Sequence, residues 1–287
     1  MPQGREDLLL ALGLVAIAMT IGVFVGLRAG RLFPRPACVA LAALSVGLTV
    51  IYLAWGRESS FWTRLIPWSN VIVLSNPTPW LAAILAGLFA AQPGIPRWRR
   101  VSIAVTMLVA GAYVPTQTAL SRPPPTMPAW TDKVALQSTA STCTPAAAAS
   151  LLQQYGIDAS ERTMAELCLT NRQGTPQLGL YRGLVIAAAS KGLSPQMHWM
   201  SVEQLIDQPD LLPAIVSVRL TRQLDQQDPR YSQRWGWLVG VRHSVVFFAI
   251  NPDQTIDVGD PGVGREQWNL RDIRKLWVGD VTTLQPR

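Results

Sequence analysis

The sequence predicts an α-helical membrane domain of four transmembrane helices followed by a separate α+β domain. Three observations carry that expectation. Four uncharged runs of 19 to 21 residues fall within the first 121 of 287 residues. A proline cluster, Arg122-Pro-Pro-Pro-Thr-Met-Pro128, follows the last of them. Beyond it the chain alternates short helical and strand patterns, helices first and strands after, which is an α+β plan.

The runs cover residues 8–27, 37–55, 71–91 and 101–120. Each is close to the roughly 20 residues that cross a hydrocarbon core of about 30 Å as a helix. A cleaved signal peptide is the alternative for the first run. Arg5-Glu6-Asp7 is not a positive leader region, however, and three similar runs follow. Asn76-Pro77 and Pro79 interrupt the third run, so it either starts nearer Trp80 or kinks there. Trp55, Trp62, Trp68, Trp80 and Trp98 lie near run ends, where interfacial anchors belong.

The charge follows this division. The whole chain carries a formal +7 from 25 basic and 18 acidic residues. Residues 1–121 hold nine arginines, no lysine and three acids, whereas residues 122–287 hold sixteen basic and fifteen acidic residues. Two short loops account for the excess: Arg28, Arg31 and Arg35 in one, Arg97, Arg99 and Arg100 in the other. Short arginine-rich loops stay cytoplasmic. The N-terminus and everything after the fourth span are therefore expected on the extracytoplasmic side of a bacterial inner membrane. No basic face is left on the second half for a nucleic acid, which is not an expected partner.

Three segments follow: a membrane domain over 1–121, a Pro-rich linker over 122–133, and an α+β domain over 134–287. Consecutive prolines favour an extended polyproline spacer. In the α+β domain, residues 145–155 are strong helix formers, with Pro145 suited to a first turn and Gly156 to a stop. Asp158-Ala-Ser-Glu161 caps a second helix reaching about residue 169, and a third spans about 177–190 before Gly192. Residues 213–220 and 243–250 are short, apolar and β-branched, hence strands. The turn Asn251-Pro-Asp-Gln254 leads into a partner strand over 255–259, giving a hairpin. A helix near 270–277 and a strand near 281–284 close the chain.

Chemistry gathers on four residues. Cys143 stands at the entrance of the first helix of this domain, where the helix dipole and exposed N–H groups favour thiolate. A small buried hydrophobe is the alternative role for any single cysteine. Gln137 lies six residues upstream, and its side-chain amide can donate to an oxyanion together with the backbone N–H of Cys143. The chain has two histidines, and His243 opens an apolar strand. Asp260 stands on the return strand of the hairpin, placed to orient the imidazole. Cys38, Cys143 and Cys168 are widely separated and offer no paired metal spacing. None of the three lysines sits in a Gly-rich phosphate loop. No metal or cofactor is expected. Residues 221–242 read as a surface insertion, with a substrate-recognition flap as the alternative.

The order Gln137, Cys143, His243, Asp260 resembles the papain-like, double-glycine-leader (bacteriocin-processing) cysteine peptidase family and its stand-alone, membrane-anchored relatives. The resemblance runs through Val-Ala-Leu-Gln137, the segment from Cys143 to Gly156, Leu-Pro-Ala-Ile-Val-Ser-Val, His243-Ser-Val-Val, Asp260-Pro261 and Leu-Trp277-Val-Gly279. Thr142 and Thr144 stand where that family commonly has Asp and Gly. The resemblance implies a papain-like cysteine peptidase domain. Cys143 would be the nucleophile, His243 the base, Asp260 its orienter, and Gln137 would complete the oxyanion hole. The resemblance implies a peptide or protein substrate; the four apolar runs make the lipid bilayer a partner, and a membrane-protein complex belongs to the non-catalytic alternative. Two other readings remain open: an inactive peptide-binding or scaffolding subunit, and a transferase that resolves the same thioester with an amine.

Overall fold

The protein is described by a computed structural model over residues 5–287, which divides into two compact units, Met1–Ser121 and Arg122–Arg287. The first is helical. Helices α1 (Glu6–Leu32) and α2 (Arg35–Ile51) come first, and one π-helical turn over Tyr52–Gly56 extends the second. A short α3 (Phe61–Leu65) follows, then α4 (Val71–Leu74), α5 (Thr78–Ala90) and α6 (Arg97–Ala119). Among the described residues, four stretches are long and apolar enough to cross a membrane: Glu6–Leu32, Arg35–Gly56, Val71–Ala90 and Arg97–Ala119. The third is broken rather than shortened. The Asn76 side-chain oxygen accepts bonds from the Thr78 backbone N–H and hydroxyl, at 3.0 and 2.7 Å, and restarts the helix behind Pro77.

Small residues set how these helices meet. Gly22, Gly26 and Gly30 recur every four residues on α1, a spacing the sequence reading passed over. A Cβ on Gly26 would stand 2.2 Å from the Ile84 carbonyl oxygen, and one on Gly87 would stand 2.3 Å from that of Val23. Backbone therefore packs on backbone where α1 crosses α5, the close approach that small residues permit between helices in lipid. Gly87→Leu should force the two helices apart, at a cost of about 1–3 kcal/mol or more. Thermal unfolding in lipid nanodiscs checks this. Gly13→Leu is the control, because nothing lies within 4 Å of a Cβ there. Equal melting of the two variants would refute the contact.

The second unit opens with a small antiparallel ladder of β1 (Ala129–Thr131) and β2 (Val134–Leu136), joined through Asp132 and Lys133 at positive φ. Three helices follow: α7 (Cys143–Gln154), α8 (Glu161–Leu167) and α9 (Gln177–Ala187). Next come β3 (Leu193–Trp199), α10 (Val202–Ile206) and β4 (Ala214–Arg219). Between β4 and the following strand lie α11 (Arg222–Gln227) and α12 (Arg230–Gln233). The chain closes with β5 (Arg242–Ile250), β6 (Thr255–Asp260), β7 (Gly264–Asn269), α13 (Leu270–Leu276) and β8 (Trp277–Pro286). Six strands form one antiparallel sheet in the order β3-β8-β4-β5-β6-β7.

The sheet is buried on both faces, and the alternation along its central strands shows why. Ile215, Val246 and Leu284 pack with α7, α8 and α9. Val216, Val218, Val245 and Phe247 point the other way, against Tyr231, Trp237, Trp268 and Ile273. Successive strand side chains face opposite sides, so both sets need an apolar partner. The run Ala146–Ala149 on α7 is fully buried. Its small side chains let the helix lie close on the sheet and bring its first residue, Cys143, to the sheet surface.

Four strands lie outside the sequence expectation: β1 and β2 of the small ladder, and β3 and β7, the two edges of the six-stranded sheet. β3 contains Pro195, and β7 reads Gly-Arg-Glu-Gln-Trp-Asn. An edge strand has one unpaired side, which tolerates proline and charge and erases the apolar alternation that marks a central strand.

Candidate active site

Each candidate residue is delivered by a different element. Cys143 is the first residue of α7 and is buried. His243 is the second residue of β5 and Asp260 the last of β6. Gln137 follows β2 directly. The other histidine, His198, lies on β3, with β8 and β4 between it and β5.

The imidazole Nε2 of His243 and Oδ1 of Asp260 are 2.7 Å apart. Because Nε2 faces the carboxylate, Nδ1 is the nitrogen left for the Cys143 thiol, and each group shifts the other's pKa. Asp260 has no exposed surface. Two further donors hold it: the Gly262 backbone N–H to Oδ1 at 2.7 Å, and the Trp237 indole N–H to Oδ2 at 3.0 Å. A carboxylate this deeply buried needs such partners. Here they also fix the direction in which it presents Oδ1.

The electrostatics follow from this chain of contacts. Burial pushes the Cys143 thiol up, but the hydrogen bond and positive charge of His243, with bonds from Ser244 and Thr144, outweigh it and bring the thiol below its ordinary value. Burial alone would lower the His243 pKa. The Asp260 carboxylate and the contact with Cys143 overcome it and raise the imidazole from 6.5 to about 10. Negative charge on the Cys143 sulfur and positive charge on the His243 imidazole thus stabilise each other. The N-terminus of α7, twelve residues long, adds its dipole to the thiolate. Cys168 is the contrast. It is fully buried beside Gly183, and burial pushes its thiol to about 12.

The flanking threonines are tied into the protein. The Thr142 hydroxyl donates to the Thr139 carbonyl and accepts from the Thr139 N–H, both at 3.0 Å. The Thr144 hydroxyl lies 2.8 Å from that of Ser244, joining α7 to β5 next to the imidazole. Gln137 is held by its own N–H, which donates to the Pro261 carbonyl at 2.8 Å. It lines one crevice together with Trp237, Leu238, Val241 and His243.

Two residues of this neighbourhood escaped the sequence reading. Glu161 stands in the first turn of α8 but is completely buried. It accepts from the Ser138 N–H at 2.7 Å and from the Ser138 hydroxyl at 2.5 Å, which pins the segment after Gln137. The actual cap of α8 is Ser160, whose hydroxyl accepts from Thr163. Trp237 lies in the stretch read as a surface insertion. It is buried over the imidazole, with ring centroids 4.5 Å apart. The only sequence signal was the density of Tyr231, Trp235 and Trp237.

Residues 131–223 match the Peptidase C39 family. An uncharacterized protein of Methanothermobacter marburgensis is 28% identical over 149 residues, covering 52% of this chain and 85% of that protein. An uncharacterized protein of Methanothermobacter thermautotrophicus is 40% identical over 72 residues, covering 25% of this chain and 48% of that protein. Among solved structures, the peptidase domain of Streptococcus ComA, a bi-functional ABC transporter of a quorum-sensing pathway, is 26% identical with a TM-score of 0.41, covering 53% of this chain and 96% of that one. A double-glycine-motif protease from an AMS/PCAT transporter, crystallised with the leader peptide, is 16% identical with a TM-score of 0.41, covering 56% and 94%.

Proposed function

We propose that the Peptidase C39-like domain of this chain is an active cysteine peptidase, anchored by the four apolar helices and facing the extracytoplasmic side of a bacterial inner membrane. One observation carries the reading: Cys143, His243 and Asp260 are buried together, with the His243–Asp260 link at 2.7 Å and a thiol whose pKa the imidazole lowers.

The chemistry runs as two acyl transfers. The Cys143 thiolate attacks the scissile carbonyl carbon. The oxyanion is met by the Gln137 amide and the Cys143 backbone N–H. The C–N bond breaks as the His243 imidazolium gives its proton to the departing amine, leaving a thioester. Neutral His243 then takes a proton from water, the hydroxide adds to the thioester, and the C–S bond breaks to release the carboxylic acid and restore the thiolate–imidazolium pair. Asp260 keeps Nδ1 aimed at sulfur throughout.

Digestion of a defined peptide library by the full chain in nanodiscs, with new amino termini read by mass spectrometry, tests this reading. Cleavage should follow a bell-shaped pH profile. The acid limb reports loss of the thiolate, below the ordinary thiol value. The alkaline limb falls near pH 10, where His243 loses the proton that the leaving amine needs. No cleavage at any pH would leave the inactive binding subunit as the better reading. Products capped by an added amine would favour the transferase. The positive-inside distribution of the loop arginines supports the sidedness, and protease protection of the second unit in sealed vesicles tests it.

A further inference from the structure

The connection between β4 and β5 ends in a short loop with an unusual combination of properties. Its backbone is held at both ends. The Trp237 N–H donates to the Tyr231 carbonyl at 2.9 Å, and the Gly240 N–H to the Leu220 carbonyl at 2.7 Å. Gly236 and Gly240 take φ of +72° and +81°, which only glycine adopts without strain. The base is anchored by stacked aromatics, with Trp235 parallel to Trp268 of β7 at 5.7 Å. Between these anchors Leu238, Val239 and Val241 turn outward and are 53%, 39% and 49% exposed. Aliphatic side chains on a fixed backbone, facing water as a group, mark a contact surface rather than a loose turn.

The position of the loop indicates what it contacts. Leu238 and Val241 line the crevice that Gln137 and His243 also line. In the proposed reaction the imidazolium protonates the amine that leaves, so the leaving segment lies on the imidazole side of Cys143. A crevice walled by His243, Trp237, Leu238 and Val241 is therefore on the side of the released C-terminal fragment. We propose that Leu238 and Val241 form a subsite for an aliphatic side chain on the residue directly after the scissile bond, an inference that rests on the peptidase reading. Arg242, which also lines the crevice, is paired to Asp280 at 2.9 Å. It does not compete for that side chain.

The test needs no turnover. Cys143 in the full chain in nanodiscs is alkylated with iodoacetamide, with and without the amidated tripeptides Leu-Ala-Ala, Gly-Ala-Ala and Asp-Ala-Ala, which mimic the start of a released fragment. The leucine peptide should slow alkylation by at least about fivefold, the scale of burying one or two methylene groups. The other two peptides should slow it little. The ratio of rates with and without the leucine peptide should collapse to unity in a Leu238→Asp/Val241→Asp variant and survive in Leu238→Ile/Val241→Ile. Equal protection by all three peptides overturns the subsite, as does protection that survives the aspartates, the result expected if the loop faces lipid. A chain that discriminates the peptides but hydrolyses nothing keeps the subsite and loses the peptidase. A chain that hydrolyses without discriminating does the reverse.

Discussion

Replacing Cys143 by alanine should abolish peptide cleavage, a loss on the order of 10⁴-fold or more, the scale reached when a covalent nucleophile is removed. The size follows from the absence of a substitute. Cys168 is sealed in the core with its thiol pushed to about 12, so it supplies no thiolate at neutral pH. Cys38 belongs to the first unit, buried on α2. Cys143→Ser should be nearly as damaging. A serine hydroxyl does not ionise against His243, and the imidazolium that serves a thiolate is the wrong partner for a nucleophile that must first be deprotonated. Serine is close to cysteine in size and alanine lacks only the sulfur atom, so circular dichroism and the melting temperature should stay close to wild type. Cleavage at the wild-type rate by folded Cys143→Ala would end the peptidase reading.

Asp260→Asn should lower kcat by about 10²–10⁴-fold, because an amide can stabilise the wrong imidazole tautomer and carries no charge to oppose the imidazolium. It also gives a signature that a merely structural aspartate would not. The Asp260 carboxylate is the main influence raising His243 to about 10, so its loss should bring the alkaline limb of the pH profile down toward the ordinary 6.5. The same change alters stability. A raised histidine pKa contributes stability that is fully present below about pH 6.5 and is lost as pH rises through about 10. Wild type should therefore lose this advantage over Asp260→Asn on the alkaline side. Asp260→Ala is harsher, since the Gly262 and Trp237 N–H groups lose their acceptor at about 1–3 kcal/mol each. An alkaline limb that does not move in Asp260→Asn would show that another group sets the imidazole.

The four apolar spans, helices α7, α8, α9 and α13 and the central strands were legible in the sequence because each carries its own periodicity, whereas the short α10, α11 and α12 were not. The helix of Cys143 needed only Pro145, four alanines and Gly156. The edge strands β3 and β7 were not legible, because half of each faces no partner and the pattern carries little constraint. The α1–α5 contact was not read from the sequence: Gly22, Gly26 and Gly30 stand at helical spacing, but which helix fills that face is set by packing alone.

For the site, the residue types and order pointed to Gln137, Cys143, His243 and Asp260, since thiol, imidazole, carboxylate and amide together suit acyl transfer. Sequence determined the inventory and the local conformation of each member. Only the tertiary structure decided the distances, and with them the directions in which the pKa values shift. The lowered thiol and the raised imidazole depend on burial and on neighbours 100 and 17 residues away along the chain. It also decided that Trp237 belongs over the imidazole and Glu161 under Ser138. Neither placement follows from local periodicity, because a long-range hydrogen bond leaves no repeating trace in the chain that makes it.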